Sequence, residues 1–305
     1  MKVIQGIHAN LLPASAVTLG MFDGVHSGHQ ALLQSCRRHA DMLGVPAVAL
    51  TYEPHPSRIL RPDLPLRLLT PLPEKLERLA LAAMDYTVIA EFTREFSQIT
   101  ADDFLSDVLS AALHPRIVVA GYRTTFGHGR AGSADVLQSF GAAHGFTIEI
   151  VPPVEVAGGP VSSSLIRQSL DDGQIELAAA RLGYRYQITG VVARGDGRGH
   201  VLGVPTANME PFPTKQIPAD GVYAVDAQVS GVLHRGVMSI GNRPTFSRPH
   251  SLEVHLLDFQ EDLYGQSVTV AFLTRLRGIQ TFPTVDALLA QIHRDIDQAR
   301  IWRDA

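Results

Sequence analysis

The chain has 305 residues, of which 45% are hydrophobic and 18% charged, a composition that excludes a disordered protein and favours two folded domains. The net charge of −4 and the scattered Lys and Arg residues argue against a nucleic-acid partner. The single cysteine, Cys36, excludes an internal disulfide framework and is expected to be a small packing residue rather than a nucleophile. Because no apolar run approaches the ~20 residues that span a bilayer and no signal-peptide core is present, we expect a cytoplasmic protein without a membrane partner.

Short apolar runs alternate with helical patterns in the first half of the chain. The predicted strands are 17–20, 47–52, 86–90, 117–120 and 146–150. The predicted helices are 30–43, 73–84, 101–113, 134–144 and 163–170. Continuous apolar runs are typical of strands that are covered on both faces. The alternation therefore predicts an α/β fold with a parallel, doubly wound sheet, whose ligands bind beyond the carboxyl ends of the strands.

The pattern changes after a short predicted helix at 174–182. Alternating segments rich in Val, Thr and Tyr follow, and they predict an antiparallel barrel or sandwich. The predicted strands here are 186–192, 222–229, 236–240, 252–259 and 267–272. An amphipathic helix at 283–300 closes the chain. We place the domain boundary between 183 and 184, which gives domains 1–183 and 184–305.

The turn at 20–29 is the most informative motif, because it is rich in glycine and joins a predicted strand to a predicted helix. Such a turn presents backbone N–H groups at a helix N-terminus and suits phosphate. His26 and His29 could donate hydrogen bonds to nucleotide phosphates. Two other interpretations are ordinary turn histidines and a metal site with His55 as third ligand. The other turn residues expected at the phosphates are Gly20, Phe22, Asp23, Gly24 and Gly28.

Two further segments of the first half are candidates for the same pocket. His55 follows the second predicted strand, where it either reaches the pocket or belongs to a structural turn between prolines. Ser163 opens a predicted helix, and a hydroxyl there is usually only a cap. Arg167 lies one turn further and has the geometry to hold a phosphate with two hydrogen bonds.

The second half carries a Gly-rich loop and a polar turn. The loop contains Gly195, Gly197 and Arg198, and it is either a hairpin turn or a loop that wraps phosphates. The turn that follows offers the hydroxyl of Thr206 and the amide of Asn208, which are hard oxygen ligands suited to Mg²⁺.

A predicted strand at 252–259 carries a candidate general base. Alternation along a strand places Glu253, His255 and Leu257 on one face. Glu253 lies between apolar neighbours and is a candidate general base, although an ordinary exposed strand glutamate has the same pattern.

Together these motifs resemble the bifunctional riboflavin kinase/FMN adenylyltransferase family, the prokaryotic FAD synthetases, over nearly the whole chain. The matching segments of the first module are 20–29, 52–56, 92–96 and 162–167. Those of the second module are 195–208, 220–223, 240–246, 252–259 and 262–265. The resemblance implies a Rossmann-like nucleotidylyltransferase domain followed by a six-stranded riboflavin kinase barrel with a C-terminal helix.

The resemblance also implies two reactions with ATP as co-substrate. The second module would phosphorylate the ribityl 5′-hydroxyl of riboflavin, with Thr206 and Asn208 at Mg²⁺ and the ATP phosphates, and with Glu253 taking the hydroxyl proton. The first module would join FMN to AMP and release pyrophosphate. His26 and His29 match its phosphate-binding histidines. Ser163 and Arg167 match its second phosphate motif.

One loop departs from the family pattern. The family usually has a short carboxylate or amide followed by an aromatic residue where this chain has Arg123 and Thr124. A cation there changes the charge of a loop that lines the first pocket in the family. The resemblance therefore leaves two hypotheses for the first module. It either makes FAD, or it has an altered nucleotide or flavin preference or only binds, beside an active kinase.

Overall fold

The computed structural model describes residues 1–194, 204–241 and 251–303. The chain divides into two compact units, Met1–Ser163 (unit 1) and Ser164–Ala305 (unit 2). The functional boundary between 183 and 184 stays a prediction. Within the described ranges, no helix is long and apolar enough to cross a membrane.

Unit 1 is built on a parallel six-stranded sheet with the order β1-β4-β3-β2-β5-β6. Its strands are β1 Lys2–Gln5, β2 Ser15–Leu19, β3 Ala47–Glu53, β4 Tyr86–Glu91, β5 Pro115–Gly121 and β6 Thr147–Val151. A short hairpin, β7 Glu155–Val156 and β8 Gly159–Pro160, follows. The predicted parallel α/β fold is confirmed.

The predicted helices of unit 1 lie close to their observed positions, and the short α2 was not predicted. The observed helices are α1 Ser27–Leu43, α2 Pro56–Leu60, α3 Leu72–Leu81, α4 Ala101–Asp103 and α5 Ala134–His144. Helix α4 continues as a π-helix, Phe104–Ala111, and 3₁₀ turns occupy Phe96–Gln98 and His128–Arg130. Helix α3 ends earlier than predicted, and Ala83 just beyond it has a positive φ of 56°.

Both faces of the sheet are covered, as the continuous apolar runs predict. Val17 and Leu19 of β2 point into one apolar cluster, and Ala16 points into the other. Cys36 of α1 is fully buried in the second cluster, where its thiol donates to the Ala16 carbonyl at 3.3 Å. Burial raises the pKa of the Cys36 thiol to about 12. Cys36 is therefore an inert packing residue, as predicted.

Unit 2 contains a closed antiparallel barrel with the order β10-β13-β12-β11-β14-β9, which settles the choice between barrel and sandwich. Its strands are β9 Gln187–Ala193, β10 Ala207–Pro211, β11 Gly221–Val229, β12 Val232–Gly241, β13 Ser251–Leu256 and β14 Ser267–Arg277. Its helices are α6 Ser163–Asp171, which begins at the last residue of unit 1, α7 Ile175–Leu182 and α8 Val285–Ile301.

Two arginines of the barrel form hydrogen bonds with α8 and the residue that follows it. Arg277 at the end of β14 donates to both carboxylate oxygens of the buried Asp295 in α8, at 2.8 to 3.1 Å. Arg235 of β12 donates to the carbonyls of Ala299 and Trp302, at 2.8 and 3.1 Å. The closing helix is therefore held through buried hydrogen bonds as well as its apolar face.

Candidate functional site

The Gly-rich turn of unit 1 starts at the carboxyl end of β2, where ligands of such sheets bind. Asp23 is buried, and its Oδ1 accepts hydrogen bonds from the backbone N–H groups of Leu69 and Thr70 at 2.8 and 3.1 Å. The N–H of Gly24 donates to Thr70 Oγ1 at 2.8 Å. These bonds fix the turn against the 68–70 segment, so the Asp23 carboxylate has a structural role beside its predicted place at the phosphates.

His26 caps helix α1, which therefore begins at Ser27 rather than at residue 30. Its Nδ1 accepts from the N–H of His29 at 3.3 Å, so the proton of the neutral ring lies on Nε2. A Cβ added at Gly28 would lie 3.2 Å from the His26 ring, so glycine gives the ring its room. Burial lowers the pKa of His26 to about 4. His26 is therefore a neutral hydrogen-bond donor at neutral pH.

His29 stacks on His26, with ring centroids 3.7 Å apart, and packs edge-on against Phe22. Its Nδ1 is buried and has no hydrogen-bond partner among the described residues. Burial holds the pKa of His29 well below its usual value, and the neighbouring His26 ring and Lys75 lower it further. The structure thus brings the two predicted histidines together as a neutral pair that supplies hydrogen bonds but no positive charge.

The metal interpretation finds no support in the geometry. No group of three His, Cys, Asp or Glu side chains suited to a metal ion occurs in the described ranges. His55 instead caps α2, where its Nδ1 accepts from the N–H of Ser57 at 3.1 Å. This is the structural turn that the flanking prolines predicted, and the role of His55 at phosphates stays a prediction.

The second predicted phosphate motif reaches the turn through Ser163. Its hydroxyl donates to the Asp23 carbonyl at 2.8 Å. Arg167 is half-buried on α6, where its Nη2 lies 3.5 Å from Ser164 Oγ. The structure therefore joins Ser163 to the Gly-rich turn.

Lys75 is a residue at this site that the sequence interpretation missed. It lies on α3, is 4% exposed, and donates from Nζ to Thr51 Oγ1 at 3.4 Å. Thr51 in turn donates to the carbonyl of Met21 in the Gly-rich turn, at 3.3 Å. Burial lowers the pKa of Lys75, and the charges of Asp23 and Glu53 partly oppose this. The available signal was its spacing, four residues before the buried Leu79 on an apolar helix face.

The departing loop lies directly after β5. The Arg123 guanidinium lies 5.2 Å from the centroid of the Tyr122 ring, and Tyr122 is largely exposed. The N–H of Thr124 donates to the Gly121 carbonyl at 2.9 Å and closes a tight turn. Arg123 is exposed at this edge of the sheet, and its effect on the pocket stays a prediction.

The candidate kinase residues meet where β10 pairs with β13 in unit 2. Asn208 is directly opposite Glu253 in the strand register. Thr206 Oγ1 donates to Glu253 Oε2 at 3.4 Å, and the ring of His255 bonds the Pro205 carbonyl at 2.8 Å. A hydroxyl and a carboxylate thus meet here, opposite a residue that carries an amide, and such oxygen atoms are the ligands that a hard cation takes.

One detail of the predicted strand is wrong. Strand β13 ends at Leu256, so Leu257 does not continue the face of Glu253 and His255. Leu257 is buried, and its N–H donates to the Arg235 carbonyl at 2.8 Å. The predicted loop residues Gly195, Gly197 and Arg198 lie outside the described residues.

Comparisons with known proteins identify both units. A family model described as FAD synthetase matches residues 9–165, and one described as riboflavin kinase matches residues 182–303. Bifunctional riboflavin kinase/FMN adenylyltransferases from Escherichia coli (strain K12) and Bacillus subtilis (strain 168) are 39% and 34% identical, each over 98% of this chain and 97% of their own length. The chain belongs to the bifunctional riboflavin kinase/FMN adenylyltransferase family.

The family assignment extends over the whole chain. The bifunctional riboflavin kinase/FMN adenylyltransferase of Haemophilus influenzae is 37% identical over 99% of both chains. A solved structure, that of a macrolide-efflux protein from Streptococcus pneumoniae, is 31% identical with a TM-score of 0.92, and it covers 99% of this chain and 100% of its own. The neutral histidine pair lies within the FAD synthetase match, and Glu253 lies within the riboflavin kinase match.

Proposed function

We propose that this protein converts riboflavin into FAD in two ATP-dependent steps. Unit 2 phosphorylates riboflavin to FMN, and unit 1 transfers AMP from ATP to FMN. The observation that carries the proposal is the pair of family matches, each enclosing a cluster of side chains suited to its reaction. The family models and the curated relatives are named for flavin chemistry, whereas the similar solved structure is named for macrolide efflux. The proposal follows the family models and the curated relatives.

Glu253 is proposed as the general base of the kinase step. Its carboxylate takes the proton of the ribityl 5′-hydroxyl, whose oxygen then forms a bond to the γ-phosphorus of ATP while the bond to ADP breaks. Thr206 donates to the same carboxylate and thereby orients it. Transferring one proton and one phosphoryl group leaves FMN and ADP.

Mg²⁺ is the proposed metal of the kinase step, because the donors at this site are hard oxygen atoms. Thr206 and Asn208 would hold it, beside the Glu253 carboxylate. When bound, the ion would neutralise charge on the ATP phosphates. Gly195, Gly197 and Arg198 are proposed to wrap the same phosphates.

Unit 1 is proposed to catalyse adenylyl transfer through hydrogen bonds and positioning. A phosphate oxygen of FMN forms a bond to the α-phosphorus of ATP, and the bond to pyrophosphate breaks with its electron pair leaving on pyrophosphate. His26 donates from Nε2 and, with His29, stabilises the charge that develops on the phosphorus. Gly20, Phe22, Asp23, Gly24, Gly28, His55, Ser163 and Arg167 are the proposed surrounding binding residues.

A time course tests both reactions together. The purified chain is incubated with riboflavin, ATP and MgCl₂, and FMN, FAD and pyrophosphate are separated by chromatography. We expect FMN first and FAD after it. FMN alone would favour the alternative in which Arg123 and Thr124 change the ligand preference of unit 1 or leave it a binding module. The cytoplasmic location and the lack of nucleic-acid or membrane partners stay predictions from composition.

A further inference from the structure

The proposed adenylyl transfer brings the triphosphate of ATP next to the phosphate of FMN, so the site has to hold several negative charges at once. Hydrogen bonds alone leave that charge uncompensated in a buried site. His26 and His29 are neutral near pH 7, because burial lowers the pKa of each ring. The positive charge at this site therefore comes from residues other than the histidines; Arg167 is one proposed source, and unit 1 offers a second.

Lys75 is a buried cation within reach of this turn. Its ammonium is joined to Thr51, and Thr51 to Met21 of the Gly-rich turn, by hydrogen bonds of 3.4 and 3.3 Å. Thr51 is fully buried, and Lys75 is 4% exposed. The charge of Lys75 also acts on the His29 ring. The lysine therefore belongs to the same polar cluster as the histidine pair.

The ammonium of Lys75 is poorly satisfied by the protein itself. An ammonium has three N–H donors, and its one partner among the described residues is the Thr51 hydroxyl at 3.4 Å. Asp23 and Glu53 attract the charge, but Lys75 forms no ion pair within the described part of the chain. A buried cation that forms no direct ion pair is costly to a fold. Its presence beside the phosphate turn thus points to an anionic ligand.

We infer that Lys75 binds a phosphate oxygen in unit 1 and supplies positive charge for adenylyl transfer in addition to Arg167. The inference rests on the proposed function of unit 1. The oxygen belongs either to the polyphosphate of ATP or to the phosphate of FMN, and the two sources share the same chemistry. In both cases the ammonium lowers the energy of the transition state, in which the incoming and leaving oxygens both carry charge.

The test replaces Lys75 in the full-length protein by methionine, which is unbranched, of similar length and uncharged. We expect kcat/KM for FAD formation from FMN and ATP to fall about 10- to 100-fold, the effect of losing one charged hydrogen bond. Lys75→Arg keeps the charge and is expected to retain more activity than Lys75→Met. Riboflavin phosphorylation by the same preparations should stay within about twofold of the wild-type rate, because it belongs to unit 2.

A second buried lysine provides a matched control. Lys215 of unit 2 is 5% exposed, and its ammonium lies 4.5 Å from the Tyr186 ring centroid. Lys215→Met removes the same kind of charge from a buried position, and it should leave FAD formation from FMN unchanged. A fall confined to Lys75→Met then reflects the place of the charge rather than its burial.

The reverse reaction distinguishes the two phosphate sources. FAD and pyrophosphate react only through the adenylyltransferase, so a raised KM for pyrophosphate and ATP assigns Lys75 to the polyphosphate. A raised KM for FMN alone assigns it to the flavin phosphate, and either result supports the inference. Wild-type rates for Lys75→Met in both directions would overturn it. So would a loss of FAD formation in proportion to a loss of folded unit 1. A wild-type protein that makes no FAD would instead refute the proposed function, and the inference with it.

Discussion

Replacing His26 by asparagine should remove an acid-sensitive contribution to the stability of unit 1. The pKa of His26 is about 4 in the folded protein, against 6.5 for an ordinary histidine. As the pH falls below 6.5, the unfolded chain binds a proton at this ring and the folded chain does not. The contribution of this ring to the stability of unit 1 is therefore fully present above pH 6.5, and it is lost as the pH falls towards 4. Between pH 7 and 4.5 the loss from this ring is about 2 kcal/mol.

Asparagine is the informative replacement because it does not titrate and is a good helix N-cap. It therefore preserves the hydrogen bond that His26 Nδ1 accepts at the start of α1. His8→Asn, the same substitution at an exposed position, is the matched control.

Native-state hydrogen exchange of the buried amides in β2 and β3 measures the opening free energy of unit 1 without assuming that the whole chain unfolds in one step. The wild type should lose about 2 kcal/mol more than His26→Asn between pH 7 and 4.5. Equal losses in the two proteins, or a His26 ring that titrates near 6.5 by NMR, would refute the argument.

Three further variants test other parts of the structure. Glu253→Gln should lower FMN formation by about 10²- to 10⁴-fold and leave FAD formation from supplied FMN unchanged, and wild-type FMN formation would exclude Glu253 as the base. Asp295→Ala leaves Arg277 without its buried partner and should destabilise unit 2 by about 3 kcal/mol, measured by Trp302 fluorescence in urea. Asp258, which forms an exposed ion pair with Arg300 at 2.9 Å, provides the control, since Asp258→Ala should change stability little. Arg123→Asp should raise FAD formation from ATP and FMN, and an unchanged rate in a folded variant would show that Arg123 does not disturb the site.

The central strands of the sheet could be predicted from the sequence, while β1, β10 and the short hairpin of β7 and β8 could not. The runs that form β2 to β5 are largely apolar because helices cover both faces of the sheet. Strand β6 lies at one edge and carries Glu149 among its apolar residues. Strand β1 lies at the other edge and is mostly exposed, so its apolar signal is weak. Strand β10 includes Asn208 and Glu210, which are poor strand formers. Closure of the barrel between β9 and β13, rather than local preference, puts this segment in a strand.

The candidate sites were predicted by residue type, but their internal bonds were not. Asp23 and Gly24 are held by Leu69 and Thr70, which lie 46 or 47 residues away in the sequence. Local spacing carries no information about such partners. The sequence pattern also predicts that α1 begins later than it does, because histidine is not among the common N-cap residues. The predicted helix began at residue 30, whereas the capping bond of His26 extends it back to Ser27.

Helix α3 contains a conflict between local pattern and environment that bears on chemistry. Lys75 shares one face of the helix with the fully buried Leu79, and a buried lysine there is unfavourable for packing. Such conflicts are expected at functional sites, where stability is lost in exchange for a charge held in place. Lys75→Met should therefore leave the stability of unit 1 equal or higher while FAD formation falls. A structural lysine predicts the opposite, a fall in stability that accompanies the fall in activity.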